Sequence, residues 1–222
     1  KWMIAYTGAT TFLTNTDEVE NAPTSWADIK DGDYTVAIGD INGGNAQAAV
    51  IASAYAFGGD LNNLDPAFEF WTQMAEDGRI NTLDILQQNF ETGEIPVGVI
   101  WSFTAIPYKD QITKYKLQAN IPTDGSIMSG YASVINKYAP HPCAAALARE
   151  YIFSDEGQAN LAAAGAIPTR TDVEIPDDIQ NATFKSEDYA NAIPMEDTDA
   201  YTKACETVVE RWQEEITPLL VQ

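Results

Sequence analysis

Residues 39–50 read GDINGGNAQAAV. Just upstream, Tyr34-Thr-Val-Ala-Ile38 is a short apolar, β-branched run of the kind that forms a buried strand. Downstream, the alanine-rich run Ala46–Phe57 reads as a helix stopped by Gly58-Gly59, because glycine readily takes the left-handed conformation that ends helices. The stretch is therefore a glycine-rich turn from a strand into a helix. Such a turn leaves up to four helix N–H groups without acceptors. Those donors and the helix dipole suit a carboxylate, phosphate, phosphonate or sulfonate group. The turn lacks the GxGxxG spacing, and no Lys-Ser/Thr follows its glycines, so it is neither a dinucleotide fingerprint nor a P-loop. Gly43, Gly44 and Asn45 are candidate ligand-binding residues; the competing reading is a tight turn with no ligand.

Working outward, the same alternation continues. Trp2–Leu13 is rich in Thr, aromatic and apolar residues and reads as extended, and Pro23–Asp28 carries a capped helical turn. Pro66–Asp77 places Ala67, Phe70, Trp71, Met74 and Ala75 on one helical face. A further helix is expected over Leu83–Glu91, and Ile95–Ile100 reads as a buried strand followed by a polar-aromatic loop, Trp101–Thr104. Ile106–Lys114 has weak helical character, Lys116–Ile121 reads as a short strand, and Pro122–Gly125 as a turn. Met128–Ile135 reads as extended. Helices follow over Pro142–Phe153 and from the N-cap Ser154 to Ala164. Asp172–Pro194 has the composition of an irregular excursion, and Thr198–Ile216 that of a long helix with Tyr201, Ala204, Cys205, Val208 and Trp212 on one face. Strands alternating with helices give an α/β fold, in which ligands bind at the C-terminal ends of strands. Two turns have that form, Asn42–Asn45 and Trp101–Thr104.

Composition narrows the function classes. The 222 residues carry 12 basic and 33 acidic side chains, a net charge of −21. That balance repels phosphate backbones and anionic lipid surfaces, which argues against nucleic acid as a partner. No apolar run approaches the roughly 18 residues that span a bilayer. Two cysteines, Cys143 and Cys205, without CxxC spacing argue against a metal cluster and leave a disulfide open. The single histidine, His141, lies between two prolines, where a structural role is expected. Metal centres and Ser-His-Asp catalysis thereby lose their usual residues. No cofactor and no catalytic residue is expected.

Two further places, one after a strand and one in a turn, hold candidate site residues. Trp101, Ser102 and Phe103 follow a buried strand, where aromatics either stack on a ligand or fill the core. Asp124 is either a ligand carboxylate or a turn residue.

Several stretches belong together. Asn15 and Pro23-Thr-Ser-Trp-Ala-Asp-Ile29 precede the strand Tyr34–Ile38, and the Ala-Gln-Ala helix ends at Gly58-Gly59-Asp60. Ala139-Pro-His-Pro-Cys-Ala-Ala145 is followed by Tyr151-Ile-Phe-Ser-Asp-Glu-Gly-Gln158 and Ile167-Pro-Thr-Arg170. Over nearly the whole chain this pattern resembles the extracellular solute-binding proteins of ABC importers, in the branch with polyamine, ferric-iron and phosphonate binders. The last group is the most specific.

The resemblance implies a two-lobed α/β fold of the type II periplasmic-binding class. It makes residues 7–124 the second lobe and 125–133 the return crossover. Residues 134–222 become the mostly helical C-terminal part of the first lobe. Lys1–Tyr6 has no initiator Met and no signal pattern. By the resemblance it is the interior of a longer protein, with the N-terminal part of the first lobe absent. Gly43–Asn45 would face the ligand. Trp101 and Ser102 fall where polyamine binders carry a tryptophan and ferric binders adjacent tyrosines; no tyrosine pair stands here, which disfavours ferric iron. Met128-Ser-Gly-Tyr131 falls where polyamine binders place an aspartate; that carboxylate is absent, with Asp124 as a substitute. The implied function is non-catalytic capture of a small polar solute outside the cytoplasm and delivery to an ABC permease. The solute would be a polyamine, a phosphonate or phosphate ester, a thiamine-like cation or a metal chelate. The protein would be periplasmic or a lipoprotein on the outer face of the cytoplasmic membrane. The alternative is the ligand-sensing domain of a bacterial regulator with the same fold.

Overall fold

The computed structural model describes residues 2–220; Lys1 and residues 221–222, which the expected segments include, lie outside it. The organising element is one long strand, β1 (Trp2–Asn15). At about 3.3 Å per residue it extends for roughly 45 Å, enough to serve two halves of an eight-stranded sheet. Its first part pairs antiparallel with β6 (Ser126–Val134) and, at Tyr6–Thr7, with β7 (Ile167–Pro168). Its second part, Thr10–Asn15, pairs antiparallel with β4 (Val97–Trp101) and β5 (Leu117–Asn120). Beyond β4 lie the two-residue strands β2 (Val36–Ala37) and β3 (Ile80–Asn81), both parallel to their neighbours. Beyond β6 lies β8 (Ala192–Pro194), also parallel.

Side-chain alternation along β1 sorts the core onto two faces. Phe12 enters a cluster with helices α1 (Trp26–Asp31), α2 (Gly44–Ala56) and α3 (Asp65–Glu76). Leu13 points the other way, to Phe90 of α4 (Gln87–Thr92) and Ala105 of α5 (Ser102–Gln111). The larger cluster is unusually aromatic. Trp26 meets Phe12, Phe70 and Trp71 edge to face, with centroids 5.0–6.1 Å apart, a favoured geometry for aromatic pairs. Helix α2 is buried nearly all round, and its alanines keep it thin enough to lie between the sheet and its helical cover.

Several expected boundaries move. Helix α4 begins at Gln87 rather than Leu83, because Asn81 and Asp84 hold the preceding backbone in turns: Leu83 N–H donates to Asn81 Oδ1 and Leu86 N–H to the Asp84 carbonyl. The loop expected at Trp101–Thr104 is the last strand residue plus the first turn of α5, which tolerates Pro107 in its interior. The ladder of β2 is shorter than Tyr34–Ile38, since Gly39, at φ 78°, turns the chain away. Residues 172–194 are largely irregular, with the short helix α8 (Asp177–Ala182) and β8 inside them.

The C-terminal segment packs in two places. Helix α7 (Asp155–Ala163) lies beside β7, and α6 (Pro142–Ile152) packs on α7. Helix α9 (Thr198–Arg211) instead packs on α2 and joins the aromatic core. Trp212, in a π-helical turn that continues α9, meets Trp71 at 5.5 Å, and Arg211 bridges to Asp65 at 2.8 Å while lying over Phe68. Residues 134–222 are thus not one body: the buried stripe Ala204, Val208, Trp212 and Ile216 finds its apolar partners on the α2–α3 side. Helix α6, in contrast, buries no residue, and Leu147 on its apolar stripe is 72% exposed.

Candidate functional site

Strands β2 and β4 run parallel side by side, with Val36 opposite Val97, and each leads into a helix. The N-termini of α2 and α5 therefore open at the same edge of the sheet. Neither has a side-chain cap, whereas Ser25, Ser154 and Asp197 cap α1, α7 and α9. At α2, Gly43 is the N-cap, and the first intrahelical bond is made by Gln47 N–H to the Gly43 carbonyl. The N–H groups of Gly44, Asn45 and Ala46 precede it and have no acceptor within the helix. Gly43 and Gly44 are exposed, and the space where a Gly44 side chain would stand is open.

Asn45 plays a different part with its side chain. Its Nδ2 donates to the Val99 carbonyl at 2.7 Å and to the Ile38 carbonyl at 3.2 Å. It thereby ties the helix start to the ends of β2 and β4, and its backbone N–H and side-chain oxygen remain for a solute.

Four rings gather beside these helix starts. Tyr6 and Tyr131 stand opposite each other on β1 and β6 and stack at 5.1 Å, nearly parallel. Phe103 is the hub. It meets Tyr6 at 5.3 Å and Tyr131 at 5.1 Å edge to face, and stacks with Trp101 at 6.1 Å. Burial raises the Tyr131 hydroxyl above its ordinary pKa, with the neighbouring Tyr6 adding to the rise and a hydrogen bond with the Trp101 indole opposing it. Burial also raises Tyr6. Burial also raises Tyr201 of α9, with the Cys205 thiol and then Tyr131 adding to the rise. All these phenols are neutral near pH 7, so the cluster offers ring faces and hydroxyls. Lysine or arginine lies over Phe57, Tyr34, Tyr115, Tyr138 and Phe68, but over none of these four rings among the described residues.

The remaining expected site residues fall apart from this picture. Ser102 is fully buried and committed within the protein: its Oγ accepts from Ala9 N–H at 3.3 Å and donates to the Gly165 carbonyl at 3.1 Å. Asp124 caps a helix. Its two oxygens accept the N–H groups of Trp26 and Ala27, at 2.9 and 3.2 Å, at the start of α1. The adjacent Gly125 lies against Ala52 and Ala56, the opposite end of α2 from Gly43–Asn45. Helix rise puts these ends on the order of 12–18 Å apart.

Sequence reading missed Tyr6 and missed Tyr201 as a cleft residue. Tyr6 lies two residues before Gly8 on the same strand face, a period-2 signal that becomes meaningful once β1 is known to cross between the two halves. A hollow of about 610 Å³ lies elsewhere, between α7, β7 and α8, with Tyr189 on its wall. The aromatic cluster is the better candidate, because only there do two uncapped helix starts meet ring faces. Both cysteines are free, and among the described residues no group of three or more His, Cys, Asp or Glu is placed to hold a metal. Among the described residues no helix is long and apolar enough to cross a membrane.

A sheet in two halves joined by β1 and β6, with rings and helix starts at the junction, defines a solute-binding protein of the two-lobed type II class. The chain belongs to the bacterial extracellular solute-binding proteins, whose family model matches residues 1–193. It is similar in fold to an ABC transporter protein of Clostridium perfringens, at 19% identity and a TM-score of 0.71, over 96% of this chain and 69% of that one. The periplasmic binding protein AfuA of Actinobacillus pleuropneumoniae, with fructose-6-phosphate bound, aligns at 20% identity and a TM-score of 0.71, over 97% of this chain and 68% of that one. A periplasmic thiamin binding protein aligns at 16% identity and a TM-score of 0.69, over 100% of this chain and 66% of that one. A search of curated proteins returned no match.

Proposed function

We propose that the chain holds a small polar solute against Gly43–Asn45, Trp101, Phe103 and Tyr131, with Tyr6 and Tyr201 as additional walls, and delivers it to an ABC permease. One observation carries this reading: two uncapped helix N-termini converge beside a cluster of rings that straddles the β1–β6 pair. Solute touching both halves of the sheet would stabilise a closed arrangement about that pair, the shape a permease distinguishes. The work is binding, without turnover, outside the cytoplasm, either free in a periplasm or held at the membrane by lipid. The family match supports transport and lends nothing to a regulator. The second lobe is residues 7–124 completed by α9, and residues 125–133 are the return crossover. Residues 134–194 belong to a first lobe, and the uncovered stripe of α6 supports further strands packing there.

The test is a thermal-shift panel on the protein with its natural termini. The panel holds fructose 6-phosphate, thiamin, maltose and GABA, solutes named for structural relatives, with spermidine and a phosphonate added. A solute at 100 times its Kd stabilises by about 2.7 kcal/mol, a rise of roughly 5–11 °C for a domain of this size. The expected result is such a rise with at least one member, abolished by Tyr131→Ala. A folded protein indifferent to all six would overturn the reading.

A further inference from the structure

We propose that Gly8 is the specificity-determining position of the cleft, because its missing side chain sets how deeply Phe103 lies and hence how much room the ring cluster leaves. This rests on the placement of the solute site given above.

A Cβ built on Gly8 would stand 2.4 Å from Cδ1 and 2.5 Å from Cε1 of Phe103. The phenylalanine ring therefore lies directly on the backbone of β1, in the gap between Tyr6 and Thr10 on the same strand face. Gly8 does not have a positive φ, so alanine fits its backbone and the conflict is purely one of space. Ordinary carbon contact needs about 3.5 Å, so Phe103 would have to retreat by at least about 1 Å.

The surroundings decide where it goes. The start of α5 cannot back away, because Ser102 is tied to Ala9 on β1 and to Gly165 in the turn before β7. Tyr6, Trp101 and Tyr131 already touch the ring on three sides. The remaining freedom is rotation about the Phe103 side-chain torsions, which carries the ring off the strand toward the solvent side of the cluster, where Tyr131 is the most exposed of the four rings. Position 8 therefore controls the depth of a cleft whose walls lie on other elements. Gly8→Ala fills the cleft with the protein's own ring, and removing that ring at the same time reopens it.

The experiment uses phenol as a ring-sized probe, observed by saturation-transfer NMR, on the wild type, Gly8→Ala, Phe103→Ala and the double variant. Circular dichroism and thermal melts check folding. Phenol is expected to bind the wild type, to lose at least fivefold in signal in G8A, and to regain it in the double variant. A crystal structure of G8A is expected to show Phe103 rotated off β1. Unchanged phenol binding in G8A, continued blockage in the double variant, or a wild type that takes no phenol would each overturn the proposal. The solute panel separates this from the parent reading. If a panel solute binds and is lost in Tyr131→Ala while G8A is neutral, the cleft stands and Gly8 fails. If the phenol pattern holds while no solute binds, the reverse follows.

Discussion

Asn45 offers the sharpest test of how the mouth of the cleft is built. Its Nδ2 is the only side-chain donor to two strand-end carbonyls, on the fully buried Val99 and the nearly buried Ile38. Asn45→Asp keeps the shape and replaces that donor with a carboxylate oxygen facing both carbonyls. Two hydrogen bonds of about 1 kcal/mol each are lost, and desolvated acceptors left unpaired cost about 1–3 kcal/mol more. A negative charge in the first helical turn returns only about 0.3–1 kcal/mol. The net loss is about 2–4 kcal/mol, a large share of the roughly 5–15 kcal/mol that holds a typical domain. Asn45→Ala loses the same bonds without the repulsion, and water reaches the half-exposed site, so it should cost about 1–2 kcal/mol. Urea unfolding with equal m-values reads the order directly: wild type, then N45A, then N45D at pH 7. Protonation gives the aspartic acid back one donor, so the gap between the two variants should narrow as pH falls from 7 to 4. If N45D proves as stable as N45A at pH 7, the side chain does not donate to these carbonyls, and the account of the helix start is wrong.

Two further outcomes test the reassigned residues. Asp124→Ala should lower stability by about 1–2 kcal/mol through loss of the α1 cap, with solute affinity unchanged; a tenfold loss of affinity would return Asp124 to the site. Trp212→Ala should cost about 3–5 kcal/mol and loosen α9, so that the half-buried Cys205 reacts faster with a thiol reagent under native conditions; an unchanged rate would mean that Trp71 does not anchor the helix.

What was legible in the sequence followed from local chemistry. Ser25 and Ser154 cap helices as their positions indicated, accepting from Asp28 and Gly157 N–H. Gly58, at φ 87°, stops α2. The alternation of Phe12 and Leu13 shows why β1 faces two cores, yet its length hid its double role: nothing local in Trp2–Asn15 says that one part pairs with β6 and the other with β4. The Asp124 readings stayed open for a similar reason. A carboxylate in a Pro-Thr-Asp-Gly turn has the same local signature whether it meets a solute or a helix start 98 residues away. Helix α9 was correctly periodic, but periodicity names the buried face and not its partner. Trp71 supplies that partner from 141 residues away in the chain (212 − 71).

The site inherits its behaviour from this division of labour. Trp101 and Phe103 are carried by β4 and α5, fixed to one half of the sheet through a buried strand. Tyr6 and Tyr131 ride on the β1–β6 pair that leads to the other half. Tyr201 arrives on a third segment, held by the Trp212–Trp71 contact and the Arg211–Asp65 bridge at the far end of its helix. Any twist of β1 against β6 therefore changes the contacts of Phe103 with Tyr6 and Tyr131 while leaving its contact with Trp101 alone. A solute lodged among these rings meets parts that move together and parts that move apart, which is the condition for binding energy to be converted into a change of lobe angle. The tie from Ser102 to Gly165 limits that twist on one side, so in the proposed function the rings would be the surface along which the two halves of the cleft slide.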